Sequence, residues 1–412
     1  MKILSLQKKP DRSLHRKITT FLLATLVALS ACSGNNNTSS TPIPLPNGQP
    51  GSLITSNGNP ADCFASTQNS SLNNLPCTVA AGATGVTALN TFVSSSVPGI
   101  VVGTSNGVVS VVNSVYSSSP IVVYCPALPS SSSISAVAVA GTNIFAAVGS
   151  TLYEFSGGTS CSSSSSHSST PIGSGTITGL GVDITHSTLF GVTNSGSYFS
   201  IANASTVTSL STSSITTPLT PLPNYPVSGP SINGMAIDPN GLVFFADAST
   251  NTANNGGQIT IYHVSSSNGN TLSPNNVQSY SGNNNGVAMS DPIGIAVSET
   301  TVTNPNYCST APCDYIYLLN IGNSIQQYVM PVPNPINGGV SINPFNLPYT
   351  GCEMTDPAVI SSFPSLTSPP FSSQSPNGPF VFLGNKSLSS LGPCGGTSTY
   401  GNNVVSYGII GQ

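Results

Sequence analysis

Charged side chains are nearly missing from this sequence. Only 4% of its 412 residues are Asp, Glu, Lys or Arg, where a globular chain carries about 25%. Lys2, Lys8, Lys9, Arg12, Arg16 and Lys17 crowd the start. Past residue 32, Lys386 stands alone against ten acids, a net charge of −9 for that portion. Nucleic-acid binding, which needs many Lys and Arg on phosphates, is excluded on that count. So is docking to anionic lipid through a basic patch. Tryptophan is absent, which weakens a sugar-stacking site, although 14 Tyr leave smaller aromatic faces. No C-x-x-C occurs, and the later histidines His167, His186 and His263 are scattered, so a zinc–thiolate centre is not expected. There is no G-x-x-x-x-G-K phosphate cradle. No stretch of a dozen residues keeps a helical period, so no strand–elbow–helix is expected to host a nucleophilic serine.

What is present begins with an address. Residues 1–17 are basic, Ile18–Leu29 is an uncharged apolar run, and Leu29-Ser30-Ala31-Cys32 precedes a polar stretch. This is the three-segment layout of a secretory signal, with an apolar run too short for a bilayer span of about 20 residues. The Leu-Ser-Ala-Cys segment resembles the lipobox of bacterial lipoproteins. That resemblance implies cleavage after residue 31, lipidation of Cys32 and stable anchoring by several acyl chains. Ser33 at the following position resembles the outer-membrane sorting pattern. The expected layout is a signal peptide over 1–31, a lipid-anchored flexible tether over 32–60, and a folded domain over 61–412. Ser33–Pro60 is polar and Pro-rich, unable to bury a core, and would span roughly 30 Å as a coil.

Eight cysteines remain in the expected mature chain: Cys63, Cys77, Cys125, Cys161, Cys308, Cys313, Cys352 and Cys394. An even number in an exported protein suggests disulfides. Spacing cannot choose among the 105 pairings of eight cysteines. The simplest guess is sequential pairing, 63–77, 125–161, 308–313 and 352–394, each closing a loop within one module.

From residue 61 short apolar runs recur between clusters of Gly, Asn, Ser and Pro, among them Ile100–Val102, Val108–Val112, Ile121–Tyr124, Ile144–Val148, Leu242–Ala246, Ile259–Val264, Tyr315–Leu319 and Phe380–Leu383. This is the texture of an all-β chain. A repeat underlies it. Ile232–Val264 reads strand, Asp-Pro-Asn-Gly turn, strand, long loop, strand, and degenerate copies start near Gly85, Ile134, Ile177, Pro292 and Asp356. A small residue recurs at Ala88, Ala138, Gly181, Ala236 and Ala296, at intervals of 43 to 60. A period of that size with three or four strands per unit marks a β-propeller. Ile232–Val264 resembles an NHL-type repeat, with Gly234, Ala236, Asp238, Gly241, Ala246 and Asp247 at matching places. The resemblance implies a propeller of six blades, or seven if Val207–Tyr225 or the N-terminal segment forms one. Asn402–Ile410 is strand-like, and reads either as a strand that closes the ring or as the outer strand of its own blade.

Asp183, Asp238 and Asn90 follow first strands, where each can bond its own turn backbone. Asp247 and Asp291 could instead face an axial channel, where some six-bladed propellers hold Ca²⁺ with six to eight oxygens. His186 and His263 read as surface or blade residues. The leading expectation is a lipid-anchored propeller of the cell envelope that binds an envelope protein or glycan, without catalysis, metal or cofactor. A lactonase-like, metal-dependent hydrolase and a structural surface-coat component are the alternatives.

If Cys32 carries the anchor, Cys32→Ala should move the protein from the membrane pellet to the soluble fraction. A variant that still sediments, beside a wild type without lipid mass, would refute the anchor.

Overall fold

The computed structural model describes residues 52–55, 86–94, 97–113, 121–129, 132–249, 256–275, 277–281, 289, 291–300, 313–320, 324–331, 345–347, 357–363, 380–385 and 404–410. They form six four-stranded antiparallel sheets. The first comprises β2 (Val86–Ser94), β3 (Val97–Thr104), β4 (Val109–Asn113) and β5 (Ile121–Tyr124). The second comprises β6 (Ala136–Ala140), β7 (Asn143–Val148), β8 (Thr151–Phe155) and β9 (His167–Pro171). The third comprises β10 (Ile177–Asp183), β11 (Thr188–Thr193), β12 (Ser197–Ile201) and β13 (Thr217–Pro221). The fourth comprises β14 (Ile232–Ile237), β15 (Leu242–Asp247), β16 (Gln258–His263) and β17 (Gln278–Ser281). The fifth comprises β18 (Pro292–Thr300), β19 (Cys313–Asn320), β20 (Ser324–Pro331) and β21 (Phe345–Leu347). The sixth is made of β22 (Pro357–Phe363), β23 (Phe380–Asn385) and β24 (Val404–Ile410), and its outer strand is β1 (Ser52–Thr55).

The first strand of each sheet lies against the first strand of the next, and β22 lies against both β18 and β2. This is a β-propeller. The second strands are buried on both sides, as in Thr188–Thr193 and Leu242–Asp247, because a neighbouring sheet covers each face. Their period of two then divides their side chains between two cores. Ile144 packs in the core between the first and second sheets, and Phe145 in the next one. Phe245 belongs to the core between the third and fourth sheets, and Phe244 to that between the fourth and fifth. The outer strands have no such cover. β9 and β13 are mostly half-buried to exposed and carry Pro171, Pro218 and Pro221, which deny an incoming chain the amide donors it would need.

Three sequence expectations change here. Ser52–Thr55, placed in the tether, pairs with β24 through Ser52↔Ile410 to Thr55↔Tyr407. The edge of β24 offers unpaired backbone groups, and Ile54 and Thr55 suit a strand. The C-terminal strand is thus third in its sheet, and the N-terminal one completes it. Val207–Tyr225 holds no additional sheet: it contains a 3₁₀ turn at Thr212–Ser214 and then β13. The disulfide Cys125–Cys161 does not close a loop within one sheet. Cys125 follows β5, Cys161 lies between β8 and β9, and both sit in the core shared by the first two sheets. Closing that separation of 36 residues is worth about 4 kcal/mol in a chain-entropy view. The side chains of Cys63, Cys77, Cys308, Cys313, Cys352 and Cys394 lie outside the described residues, as does Cys32.

The repeat also shifts register. A β-bulge interrupts the ladder between Val86 and Ala88, Ile177 and Gly179, Ile232 and Gly234, Pro292 and Gly294, and Pro357 and Val359. Ala88 therefore corresponds to Gly179, Gly234 and Gly294, and Asn90 corresponds to Gly181, Ala236 and Ala296. At Gly179 and Gly234 the following sheet comes close, whereas the sixth sheet carries Val359 at the corresponding place. A Cβ on Gly179 would stand 2.6 Å from Met235 Cβ and 2.9 Å from Met235 N, and one on Gly234 would stand 3.3 Å from Gly294 Cα.

Gly179→Val should therefore lower stability by about 1–3 kcal/mol through overpacking, read as a lower denaturant midpoint. Ser163→Ala, on an exposed connector, should stay within about 0.5 kcal/mol. Equal, negligible effects at both places would contradict this close approach of the sheets.

Candidate functional site: the central cavity

Inner strands converge on a cavity of about 760 Å³ lined by β2, β6, β10, β14 and β18. The bulge residues stand at its wall and also fasten it. Thr87 Oγ1 donates to the Ile134 carbonyl at 2.6 Å, Thr178 Oγ1 to the Ile232 carbonyl at 2.8 Å, and Asn233 Nδ2 to the Pro292 carbonyl at 2.8 Å. Each acceptor begins the inner strand of the following sheet. The amides at the same places bond backward too: Ile134 N to Thr104 O, Ile177 N to Gly149 O and Ile232 N to Asn194 O. Pro292 has no amide, and the residue before it substitutes: Asp291 N donates to Gly256 O at 2.8 Å with Asp291 at φ 44. These clasp residues were missed in the sequence. The signal was one position upstream of the small residue, where Val86, Ile177 and Ile232 precede Thr87, Thr178 and Asn233; Ser135, after Ile134, instead donates to Ala147 O of its own sheet at 3.3 Å.

The lining is almost free of ionisable groups. Among the described residues Asp238 is the single carboxylate of the lining, beside the hydroxyls of Thr87, Thr91 and Thr178 and the amides of Asn90 and Asn233. A cavity of this kind suits an uncharged ligand that exchanges hydrogen bonds, and offers nothing to pair with an anion.

The acids themselves serve the fold. Asp183 accepts from Thr185 N at 2.9 Å and pairs with His186 Nδ1 at 2.5 Å. Asp238 accepts from Asn240 N at 3.0 Å and Leu242 N at 2.6 Å. Both therefore cap their own turns. Asn90 does not, because β2 runs on to Ser94 and pairs Asn90 with Val101. Asp247, a candidate for the axis, is fully buried and does not line the cavity. It takes five donors: Tyr225 OH at 2.7 Å, Ser231 N at 2.9 Å, Ser249 N at 2.8 Å, Ser249 Oγ at 2.7 Å and Gln258 Nε2 at 3.0 Å. Burial, then the charge of Asp247, pushes the Tyr225 phenol well above its usual range. Together with Tyr262 OH to Pro223 O at 2.9 Å, this pins the connector between the third and fourth sheets.

Calcium does not fit these donors. Asp247 is spent on five hydrogen bonds, Asp291 serves through its amide, and among the described residues no group of three or more His, Cys, Asp or Glu converges. Gly103–Gly107 reads Gly-Thr-Ser-Asn-Gly, the G-x-S-x-G spelling of a nucleophile elbow, contrary to the expectation of none. The structure makes it a hairpin turn between β3 and β4, held by Thr104 Oγ1 to Asn106 Oδ1 at 2.6 Å and to Val108 O at 2.9 Å. His263 lies on β16 as the blade residue expected, and burial lowers its proton affinity.

No family model matches the chain, and no curated protein does. Among solved structures it is similar to the crystal structure of the Myceliophteria thermophila Cps50 (Swd1) beta-propeller domain, at 9% identity and a TM-score of 0.42, over 67% of this chain and 76% of that one.

Asp247→Ala should cost at least about 2 kcal/mol, because several buried donors lose one acceptor, whereas Tyr225→Phe should cost about 1 kcal/mol. Urea unfolding of the two variants checks the order. A milder effect for Asp247→Ala than for Tyr225→Phe would contradict the assignment of Asp247 as the hub.

Proposed function

We propose that the mature protein is a non-catalytic binding or scaffold module of the bacterial cell envelope. It is held to the outer membrane through lipidated Cys32 and built as a six-bladed ring. The cavity carries this reading: a rigid frame surrounds a space whose described walls are hydroxyls, amides and apolar side chains, with one carboxylate and no cation among the described residues. A β-propeller fits such a role, since it presents loops and a central opening on a scaffold that barely moves. The six sheets and the strand Ser52–Thr55 closing the last of them support the blade number. The partner is an envelope protein or glycan that meets the cavity with uncharged groups.

The test is capture from the organism's own envelope on immobilised wild type and on Asn90→Trp, which fills the cavity wall. Retention of one component by the wild type, and its loss from a variant with an unchanged unfolding midpoint, is the expected result. Retention by neither, or equally by both, would overturn the cavity as the binding site.

A further inference from the structure

Each inner strand ends its sheet. β2, β6, β10, β14, β18 and β22 have one neighbouring strand apiece, so each keeps one long edge unpaired. Such an edge is a template for another strand, because its amides and carbonyls lack partners. The outer edges of β9 and β13 are blunted by Pro171, Pro218 and Pro221. Past Pro292, the five inner strands that line the cavity contain no proline at all.

The register shows which backbone groups face the axis. Asp238 N donates to Leu242 O at 3.0 Å, and the ladder continues through Ile237↔Val243 and Ala236↔Phe244. Antiparallel pairs alternate between bonded and non-bonded. Asp238 and Ala236 therefore turn their backbone groups to β15, and Met235 and Ile237 turn theirs the other way, toward the axis. The bulges put Leu180 and Val182 of β10, and Ile295 and Val297 of β18, at the matching places. All six line the cavity. Its wall is thus largely main chain, with amides and carbonyls alternating along each inner strand.

The dimensions select the occupant. β10 runs for seven residues, about 23 Å at 3.3 Å per residue. A volume of about 760 Å³ spread over that length is a bore of roughly 33 Å². A helix, about 10 Å across, is too wide. A strand with average side chains needs about 4.8 Å by 10 Å, so a strand with small side chains fits. A sugar chain is disfavoured, because the single aromatic of the described lining, Phe92, is 7% exposed and lies against Gly99, where a Cβ would stand 2.3 Å from Phe92 Cζ. Its ring is no stacking platform.

We propose that the bore receives the N-terminal end of a partner protein's chain, which enters extended and adds as a strand to the free edge of an inner strand. This rests on the binding role proposed above and names the ligand of the same cavity. Main-chain hydrogen bonds supply the affinity in this mode, and the space beside the added strand selects its side chains, here small and uncharged. Charge decides which end enters. Past residue 32 the chain carries a net charge of −9, and the described lining has a carboxylate and no cation, so an ammonium terminus is drawn in and a carboxylate terminus repelled. Ile184, 68% exposed after the turn residue Asp183, stands at one mouth of the bore and offers the entering chain an apolar contact.

The experiment offers four pools to the immobilised full chain. The first holds heptapeptides of Gly, Ala, Ser, Thr, Asn and Val with a free amine and an amidated carboxyl end. The second holds the same peptides N-methylated at alternate residues, the third holds them acetylated with a free carboxylate, and the fourth holds neutral oligosaccharides. The first pool should be retained at least about tenfold better than the second and third, and Asn90→Trp should abolish that retention. Amide hydrogen exchange of the wild type should show Leu180, Val182, Met235 or Ile237 becoming protected when a retained peptide is added, a readout that needs no variant to fold. Equal retention of the N-methylated pool, stronger retention of the carboxylate pool, or no protection of any inner-strand amide would overturn the proposal. Retention of oligosaccharides alone, or of no pool, would also overturn it, while capture of an envelope component on wild type and not on Asn90→Trp would leave the binding role standing.

Discussion

A backbone carbonyl displaced by a β-bulge organises this molecule. Where five of the six inner strands begin, the ladder slips by one residue, and the carbonyls of Ile134, Ile232 and Pro292 bond to the sheet before their own. Thr87, Thr178 and Asn233 supply the donor, while the amides of Ile134, Ile177 and Ile232 reach back to the same neighbours. A buried pair of backbone groups left unmade would cost on the order of 1–3 kcal/mol each, so these contacts fix the first five sheets relative to one another. The small residue that follows the bulge completes the arrangement, since Gly179 and Gly234 let strand meet strand without a Cβ between them. The cavity is the space that remains when this spacing is repeated around an axis.

Much of this could be read in the sequence, and the reasons differ from feature to feature. The strands were legible because Val, Ile and Phe runs are bounded by turn residues, and the Asp-Pro-Asn-Gly turn forms as its chemistry requires, with Gly241 at φ 79. The register was not. Ala88 resembles Ala138 and Gly181 in size, but a bulge adds a residue invisible to pattern matching. The clasp escaped because Thr, Ser and Asn are unremarkable in a chain so rich in them. The pairing of Cys125 with Cys161 was a fair guess from order, yet its placement between sheets depends on how sheets stack. Asp247 looked like an axial ligand because it ends a strand, and only the connector bearing Tyr225 reveals its five donors.

Low charge has a structural counterpart in the way acids are used. A typical surface relies on Lys and Glu for solubility, whereas here Ser–Ser contacts such as Ser156 with Ser166 and Ser211 with Ser213 wet the connectors. The acids are moved inward, where their oxygens collect backbone amides at turns and connectors. A carboxylate is a strong acceptor for several donors at once, so one Asp can organise a loop that would otherwise need several side chains.

The strand Ser52–Thr55 has a mechanical meaning. It lies at the outer edge of its sheet, paired with four residues of β24, and the chain preceding it leaves from Ser52. Any tension arriving along that preceding chain is borne first by these few hydrogen bonds. Drawn along the strand, they are loaded together and resist as a group; drawn across it, they break in succession. The seam that completes the last sheet is thus the first part of the ring that such a pull would load, and peeling it would leave the edge of β24 bare for another strand.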